Sequence, residues 1–138
     1  MNERNRHFLP YIGMEEIIFE VTAATGVSTE VLLSRNRSSA VARPRQLCMY
    51  LGVTRTNLSP REIAAELRRD RSTLYPSVRQ IEHLLWRWRA LGDVRYRDLH
   101  VMTEGIIERL SNRAQVLRGP GRAVPLHPVP IPRRAVSR

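Results

Sequence analysis

The stretch "NLSPREIAAELRRD", Asn57 to Asp70, constrains the fold more than any other part of this chain. Ser59 precedes Pro60, and Glu62 follows Ser59 by three positions. A serine at a helix N-cap accepts a hydrogen bond from the amide three residues on. A glutamate at that position reaches back to the amide of the cap, and proline suits the first helical position because its missing N–H has no partner there. The pattern predicts a short helix from Pro60 to about Arg68, with Ile63, Ala64 and Leu67 as its buried stripe. About three residues later a second helix begins, capped by Asp70 or Ser72 and ended by Gly92. Its inward positions are Leu74, Val78, Ile81, Leu84 and Leu85. Two helices at this separation form either a helix-turn-helix or a plain helical hairpin.

The remaining segments also repeat at the helical period. Ile17, Ile18, Val21 and Ala24 mark a helix from Met14 to Thr25 that Gly26 stops. Ser28 caps a short helix that carries Val31, Leu32 and Leu33 inward. A longer helix is expected from about Ser39 to Thr54, with Pro44 in its first turn. The last spans roughly Arg95 to Leu117, with Leu99, Met102, Ile106 and Leu110 on one face. No β-alternation lasts long enough to compete. The expected fold is therefore all-α, a compact bundle of about five to six helices. Residues 1–13 read as a ragged lead-in and residues 14–117 as the domain. Residues 118–138, rich in proline, glycine and arginine, read as an extended or disordered tail.

Charge narrows the partner. The 138 residues carry a formal net charge of +10, and every one of the 23 basic residues is arginine. Residues 3–34 are net −3, residues 35–97 net +9, residues 98–117 net −1, and the tail adds +5. Such a balance points to a polyanion: DNA, RNA or an anionic membrane surface. Arginine suits bidentate contact with phosphates and guanine edges, although G·C-rich codon usage also favours it over lysine. Without lysine there can be no phosphate-binding loop of the G-x-x-x-x-G-K-[ST] form and no Schiff base. Cys48, the single cysteine, can form no internal disulfide, supplies no metal set and suits a buried helical position. The opening residues lack the apolar run of a secretion signal, and no window of 18 apolar residues occurs, so the chain reads as cytoplasmic. No set of nucleophile, base and orienting group stands out. The chain is expected to be no enzyme and to need no cofactor or metal.

The segment "LLSRNRSSAVARPRQLCMYL", Leu32 to Leu51, resembles the C-terminal DNA-binding domain of the bacterial chromosomal replication initiators, the DnaA family. That family has a basic loop, a helix opening with A-R-P-R-Q, a short helix, and a G-G-R-D-H-T-T-V signature at the start of its recognition helix. Here the signature stands as "LRRDRSTLYPSV", and the resemblance runs from about Glu16 to Leu110. It implies that Arg37 enters the minor groove, where a narrow A·T-rich stretch attracts a guanidinium. Arg45 and Gln46 fall on the Arg-Gln pair that contacts the duplex beside the recognition helix. Asp70 can accept from a cytosine amino group, while Ser72 and Thr73 fit phosphates and thymine methyls. Arg35, Ser38, Ser59, Arg69, Arg71 and Arg79 complete the implied set of DNA-binding residues.

This chain departs from the pattern in four ways. One glycine of the turn is missing, and the other is Arg68 or Arg69, depending on alignment. The family histidine is Arg71, which could read guanine. Pro76 falls inside the recognition helix and, with Ser72 as N-cap, would forfeit its first backbone bond and distort it. The family's ATPase domain would precede this region, and only about 15 residues do here, so no ATP hydrolysis is expected.

Other residues have simpler expectations. The alternative for Arg68, Arg69 and Arg71 is a solvated turn. The Trp86-Arg87-Trp88-Arg89 alternation implies one exposed tryptophan, which either packs under the last helix or offers a partner surface. Tyr75 either touches DNA or packs on the turn, and His83 and His100 lack metal partners one turn away. The expected partner is double-stranded DNA, with a replication or transcription protein as a candidate second partner, and the expected state is a monomer. The competing readings are a module that binds a protein or an anionic membrane through its basic faces, and binding of single-stranded or structured RNA through the tail. The tail's lack of aromatic residues for base stacking counts against the second.

Overall fold

The computed structural model describes residues 8–118, and the expected tail, apart from Arg118 at the end of the last helix, lies outside them. Among the described residues there are six α-helices and no strand. They are α1 (Met14–Thr25), α2 (Thr29–Leu32), α3 (Ser39–Arg55), α4 (Pro60–Glu66), α5 (Leu74–Leu91) and α6 (Arg97–Arg118). Short 3₁₀ turns at Arg71–Thr73 and Val94–Tyr96 lead into α5 and α6.

The termini follow the local signals. The Ser59 hydroxyl accepts from the Glu62 amide at 3.1 Å, and the Glu62 carboxylate accepts from the Ser59 amide at 2.8 Å. Ser28 caps α2 through the Val31 amide. Gly26 and Gly92 end α1 and α5 with φ of +80° and +66°, the left-handed region that glycine enters without penalty. Residues 8–13 are more ordered than a ragged lead-in. Leu9, Pro10, Tyr11 and Ile12 make a turn in which the Ile12 amide donates to the Leu9 carbonyl, and the Leu9 amide donates to the Arg55 carbonyl. Ile12 is thereby buried in the core.

α3 is the central element, packed against both α1 and α5, and α6 closes over α1 and α5. Ile17, Val21, Leu47, Leu51, Ile63, Leu67, Leu74, Ile81, Leu85, Ile106 and Leu110 are fully buried. Each such side chain contributes about 1.5–3 kcal/mol relative to exposure. Gly52 lets these layers approach. A Cβ there would lie 2.9 Å from Met14 Sδ and 3.0 Å from Ile63 Cγ2. Cys48 is buried among the same residues, which pushes its thiol pKa well up and leaves it unreactive.

Several expectations are corrected. α2 is a single turn and buries only Leu32, leaving Val31 exposed. Ala24 is exposed, whereas Glu20 on the same helix is buried. Pro44 is the sixth residue of α3 rather than part of its first turn, so the Ala40 carbonyl loses its usual donor; Ala40 is exposed, and water can serve it. The bond that Pro76 forfeits, to Ser72, lies outside α5 as it forms, because Thr73 and not Ser72 is its N-cap. Pro76 is the third residue of α5, where the N–H would be unpaired in any helix. Because Pro76 cannot donate to Ser72, the entry uses tighter bonds instead: the Thr73 amide donates to the Asp70 carbonyl at 3.0 Å, and the Leu74 amide to the Arg71 carbonyl. Asp70 therefore precedes a 3₁₀ turn, and neither it nor Ser72 caps α5 through its side chain.

Candidate nucleic-acid interface

α4 and α5 form the helix pair, joined by residues 67–73. The turn has a defined backbone. The Arg68 amide donates to the Ala65 carbonyl at 3.0 Å and the Arg69 amide to the Ala64 carbonyl at 2.9 Å, the double bond that ends helices around a left-handed residue. That residue is Arg68, at φ +57°. Arg68 is thus the residue that occupies the glycine-like position of the turn.

The basic loop, residues 33–38, lies beside this turn. It is tied together by its own polar groups. Ser34 Oγ donates to the Val31 carbonyl at 2.6 Å and accepts from the Asn36 amide at 3.1 Å, and Asn36 Oδ1 accepts from the Ser38 amide at 2.8 Å. Asparagine and serine close such local turns because their short side chains reach a backbone group two residues away. Asn36 is absent from the set expected from sequence, although this habit of asparagine was the available signal.

Arg45, expected to contact the duplex, is bonded within the protein. It is 7% exposed, and its three guanidinium nitrogens all donate inward: Nε to the Leu32 carbonyl at 2.9 Å, Nη1 to the Asn36 carbonyl at 3.1 Å and Nη2 to the Ser34 carbonyl at 3.2 Å. It sits on α3 one residue after Pro44, in a helix segment already packed against the core. Arg69 is also partly committed. It is half-buried, Nη2 donates to the same Ser34 carbonyl, and Nη1 donates to the Arg68 carbonyl at 3.0 Å. Ser34 thereby joins loop, α3 and turn in one network.

The other expected residues are placed as follows. Arg35, Arg37, Ser38, Asp70, Arg71, Ser72, Thr73 and Arg79 are exposed, and Gln46 is half-buried on α3 beside Arg45. Thr73 Oγ1 donates to the Asp70 carbonyl at 2.8 Å, which leaves its methyl free to face outward. Ser59 is exposed, but its hydroxyl oxygen already caps α4. Tyr75 is 42% exposed, and Arg79, one turn further along α5, shares its side of the helix. Trp86 is half exposed and stacks on His83, while Trp88 approaches His100 of α6.

Loop and turn enclose an open cleft of about 740 Å³ lined by Leu33, Asp70, Thr73 and five arginines, at 35, 37, 45, 68 and 69. Burial first, and then the Arg69 charge, lowers the pKa of Arg45. Burial, then Arg35 and Arg37, lowers that of Arg69. These directions record burial first, and then like charges brought close together around Arg45 and Arg69. At the far end of α5, in the turn after it and on α6, arginines meet acids: Arg87 and Arg95 with Asp93, Arg89 with Glu104, Arg109 and Arg113 with Glu20. Among the described residues no carboxylate pairs with Arg35, Arg37, Arg71 or Arg79. Positive charge is neutralised at the far end of α5 and on α6, and left open where loop, turn and the start of α5 meet. The described residues also hold no cluster of three metal-ligating side chains and no helix long and apolar enough to cross a membrane.

Comparison with known proteins gives the same region a family. A family profile described as the bacterial dnaA protein helix-turn-helix matches residues 14–81. The chromosomal replication initiator protein DnaA of Rhodopseudomonas palustris is 41% identical over 83 residues, which is 59% of this chain and 18% of that protein. The protein of that name from a Bradyrhizobium species is also 41% identical over 83 residues, 59% of this chain and 17% of its own length, and the one from Xanthobacter autotrophicus 36% over 83 residues, 59% and 16%. The chain spans less than a fifth of the length of these relatives. Residues 14–81, which hold the basic loop before α3, α4, the turn and the start of α5, are thus similar to the DnaA helix-turn-helix family.

Proposed function

We propose that this protein binds double-stranded DNA in a sequence-specific manner. The start of α5 enters the major groove, and the basic loop reaches the adjacent minor groove. The observation that carries this reading is the exposed charge of Arg35, Arg37, Arg71 and Arg79, which meet no acid among the described residues, while arginines at the far end of α5 and on α6 are paired with acids. Phosphates supply the missing counter-charge, and releasing their condensed counterions drives binding. Asp70 precedes, and Arg71, Ser72 and Thr73 form, an exposed 3₁₀ turn at the mouth of the helix, where side chains can reach base edges. Arg37 in the loop supplies the minor-groove arm.

The biological role that fits such a protein is modulation of replication initiation, or of transcription, by occupying sites of the kind that initiators bind. The relatives' name, chromosomal replication initiator, supports this choice of role. Neither role requires catalysis by this chain. The test is selection of bound duplexes from a random pool, with the recovered motif compared with the initiator box. A compact motif with an A·T-rich end is expected. Recovery of duplexes with no common sequence would reduce the protein to a general DNA binder, and no recovery at low salt would remove the reading.

A further inference from the structure

We infer that Arg45 and Arg69 are positioning residues that hold the basic loop in its DNA-ready shape, so that Arg37 meets the minor groove without first being ordered. The inference rests on the DNA-binding reading above. Its basis is the geometry of the loop. The carbonyls of Leu32, Ser34 and Asn36 all turn toward Arg45, which spends all three guanidinium nitrogens on them. Arg69 adds a second donor to Ser34 from the turn between α4 and α5. The loop amides of Asn36 and Ser38 are taken up by Ser34 Oγ and Asn36 Oδ1. The loop's backbone is thus tied at both donors and acceptors, while the side chains of Arg35 and Arg37 remain exposed and without an acidic partner among the described residues.

The chemistry requires arginine. Its planar fork carries five N–H donors on three nitrogens and can serve three carbonyls spread along the loop, whereas a lysine ammonium sends its three donors from a single nitrogen on a flexible stem. Because Ser34 is shared, loop and turn are fixed to each other as well as to α3, and the minor-groove arm is held in register with the residues that start α5. A loop ordered before binding spares the complex the entropy of ordering it. The expected Arg-Gln contact therefore divides: Arg45 acts through Arg37, and only Gln46 remains on the surface side of α3.

The test uses Arg45→Lys, Arg69→Lys and Arg37→Ala in the full chain. Without DNA, hydrogen exchange at the amides of residues 34–38 should rise about tenfold in Arg45→Lys, while the amides of the second half of α5 stay unchanged. With the selected duplex, Arg45→Lys should bind about tenfold more weakly and lose preference at the A·T-rich end. Its dependence on salt should match the parent, and it should cost nothing further in the Arg37→Ala background. Additive losses in the double variant, or a log–log salt slope shallower by about one, would make Arg45 a phosphate contact and overturn the proposal. Unchanged exchange at 34–38 would overturn it equally. If Arg45→Lys does not fold, Arg69→Lys at the cleft rim undergoes the same measurements, and the same results support or overturn the proposal. A parent chain that binds no duplex overturns the DNA-binding reading and this use of the loop. Raised exchange in Arg45→Lys then separates that outcome from failure of the clamp.

Discussion

Arg68 holds a backbone conformation, φ +57°, that costs a residue with a side chain about 1–2 kcal/mol. It is kept there because the turn's two closing bonds and the fully buried Leu67 before it leave no alternative path from α4 into α5. Arg68→Gly should therefore raise stability, by about 0.5–1 kcal/mol once the greater freedom of glycine in the unfolded chain is deducted. The unfolding midpoint in denaturant measures this, and a lower midpoint would mean that the Arg68 side chain packs usefully in the cleft. Arg37 and Arg71 are both exposed and meet no acid among the described residues, and the proposed binding gives them different tasks. Major-groove edges distinguish all four base pairs, whereas the minor groove mainly separates A·T from G·C. Arg37→Ala should relax preference at the A·T-rich end of the selected site. Arg71→Ala should relax it at a different position, by about 1–3 kcal/mol if it pairs with guanine. Selection repeated with each variant decides this, and uniform loss over all sequences would make both residues phosphate contacts.

α5 shows how one residue can set the form of an element. Pro76 prevents α-type bonding to Ser72, so the recognition segment opens as a 3₁₀ turn and becomes a regular helix only at Leu74. The side chains of Arg71 to Thr73 therefore project from a tighter coil than an α-helix would give them. α3 shows the opposite dependence. Its length and Pro44 are evident in the sequence, but its central place comes from Gly52, where α3 comes close to Met14 of α1 and Ile63 of α4. Gly52→Ala gains about 1 kcal/mol of helix propensity and loses more to overpacking, because Ile63 is fully buried and stiff at its branched carbon. A net loss of about 1–2 kcal/mol is expected from thermal or denaturant unfolding. An unchanged midpoint would show that Met14 and Ile63 move aside freely.

Glu20 ties the two ends of the molecule. Buried on α1, its carboxylate accepts from Arg109 Nε and Arg113 Nη2 of α6, both at 2.9 Å, and Arg113 also lies over the Phe19 ring at 4.9 Å. Burial raises the Glu20 pKa, but hydrogen bonds and charge from Arg113 and Arg109 together outweigh it, and the net shift is downward. A lowered carboxylate pKa adds stability that is complete above the unfolded value of about 4.3 and is lost as pH falls through the folded value. The unfolding midpoint of the parent should therefore drop below about pH 4.5, and Glu20→Gln should flatten that part of the profile. Both arginines are more than a third exposed, so the variant should cost only about 1–2 kcal/mol near neutral pH. A parallel acid profile in the variant would exclude Glu20 as its source. At the same scale, contact with about five or six phosphates gives duplex binding a log–log salt slope of roughly −5, and a slope near zero would remove electrostatic recognition.

The all-α class, the caps at Ser28 and Ser59, the stops at Gly26 and Gly92, and the buried stripe of α5 from Leu74 to Leu85 were all legible in the order of residues. These depend on interactions within about four residues, which composition and spacing record directly. The concentration of positive charge in residues 35–97 was equally plain, because charge adds without regard to fold. Which arginines are free is settled only once the chain has folded. Arg45 and Arg37 look alike in "RNRSSAVARPR", but one ends under the loop and the other on it. The partners of Arg45 are backbone carbonyls, which every residue carries and no sequence pattern marks. Glu20 is hidden for a related reason, since its partners lie 89 and 93 residues away. Contacts of that range exist only once the core of α1, α3, α5 and α6 has closed and brought the distant segments together.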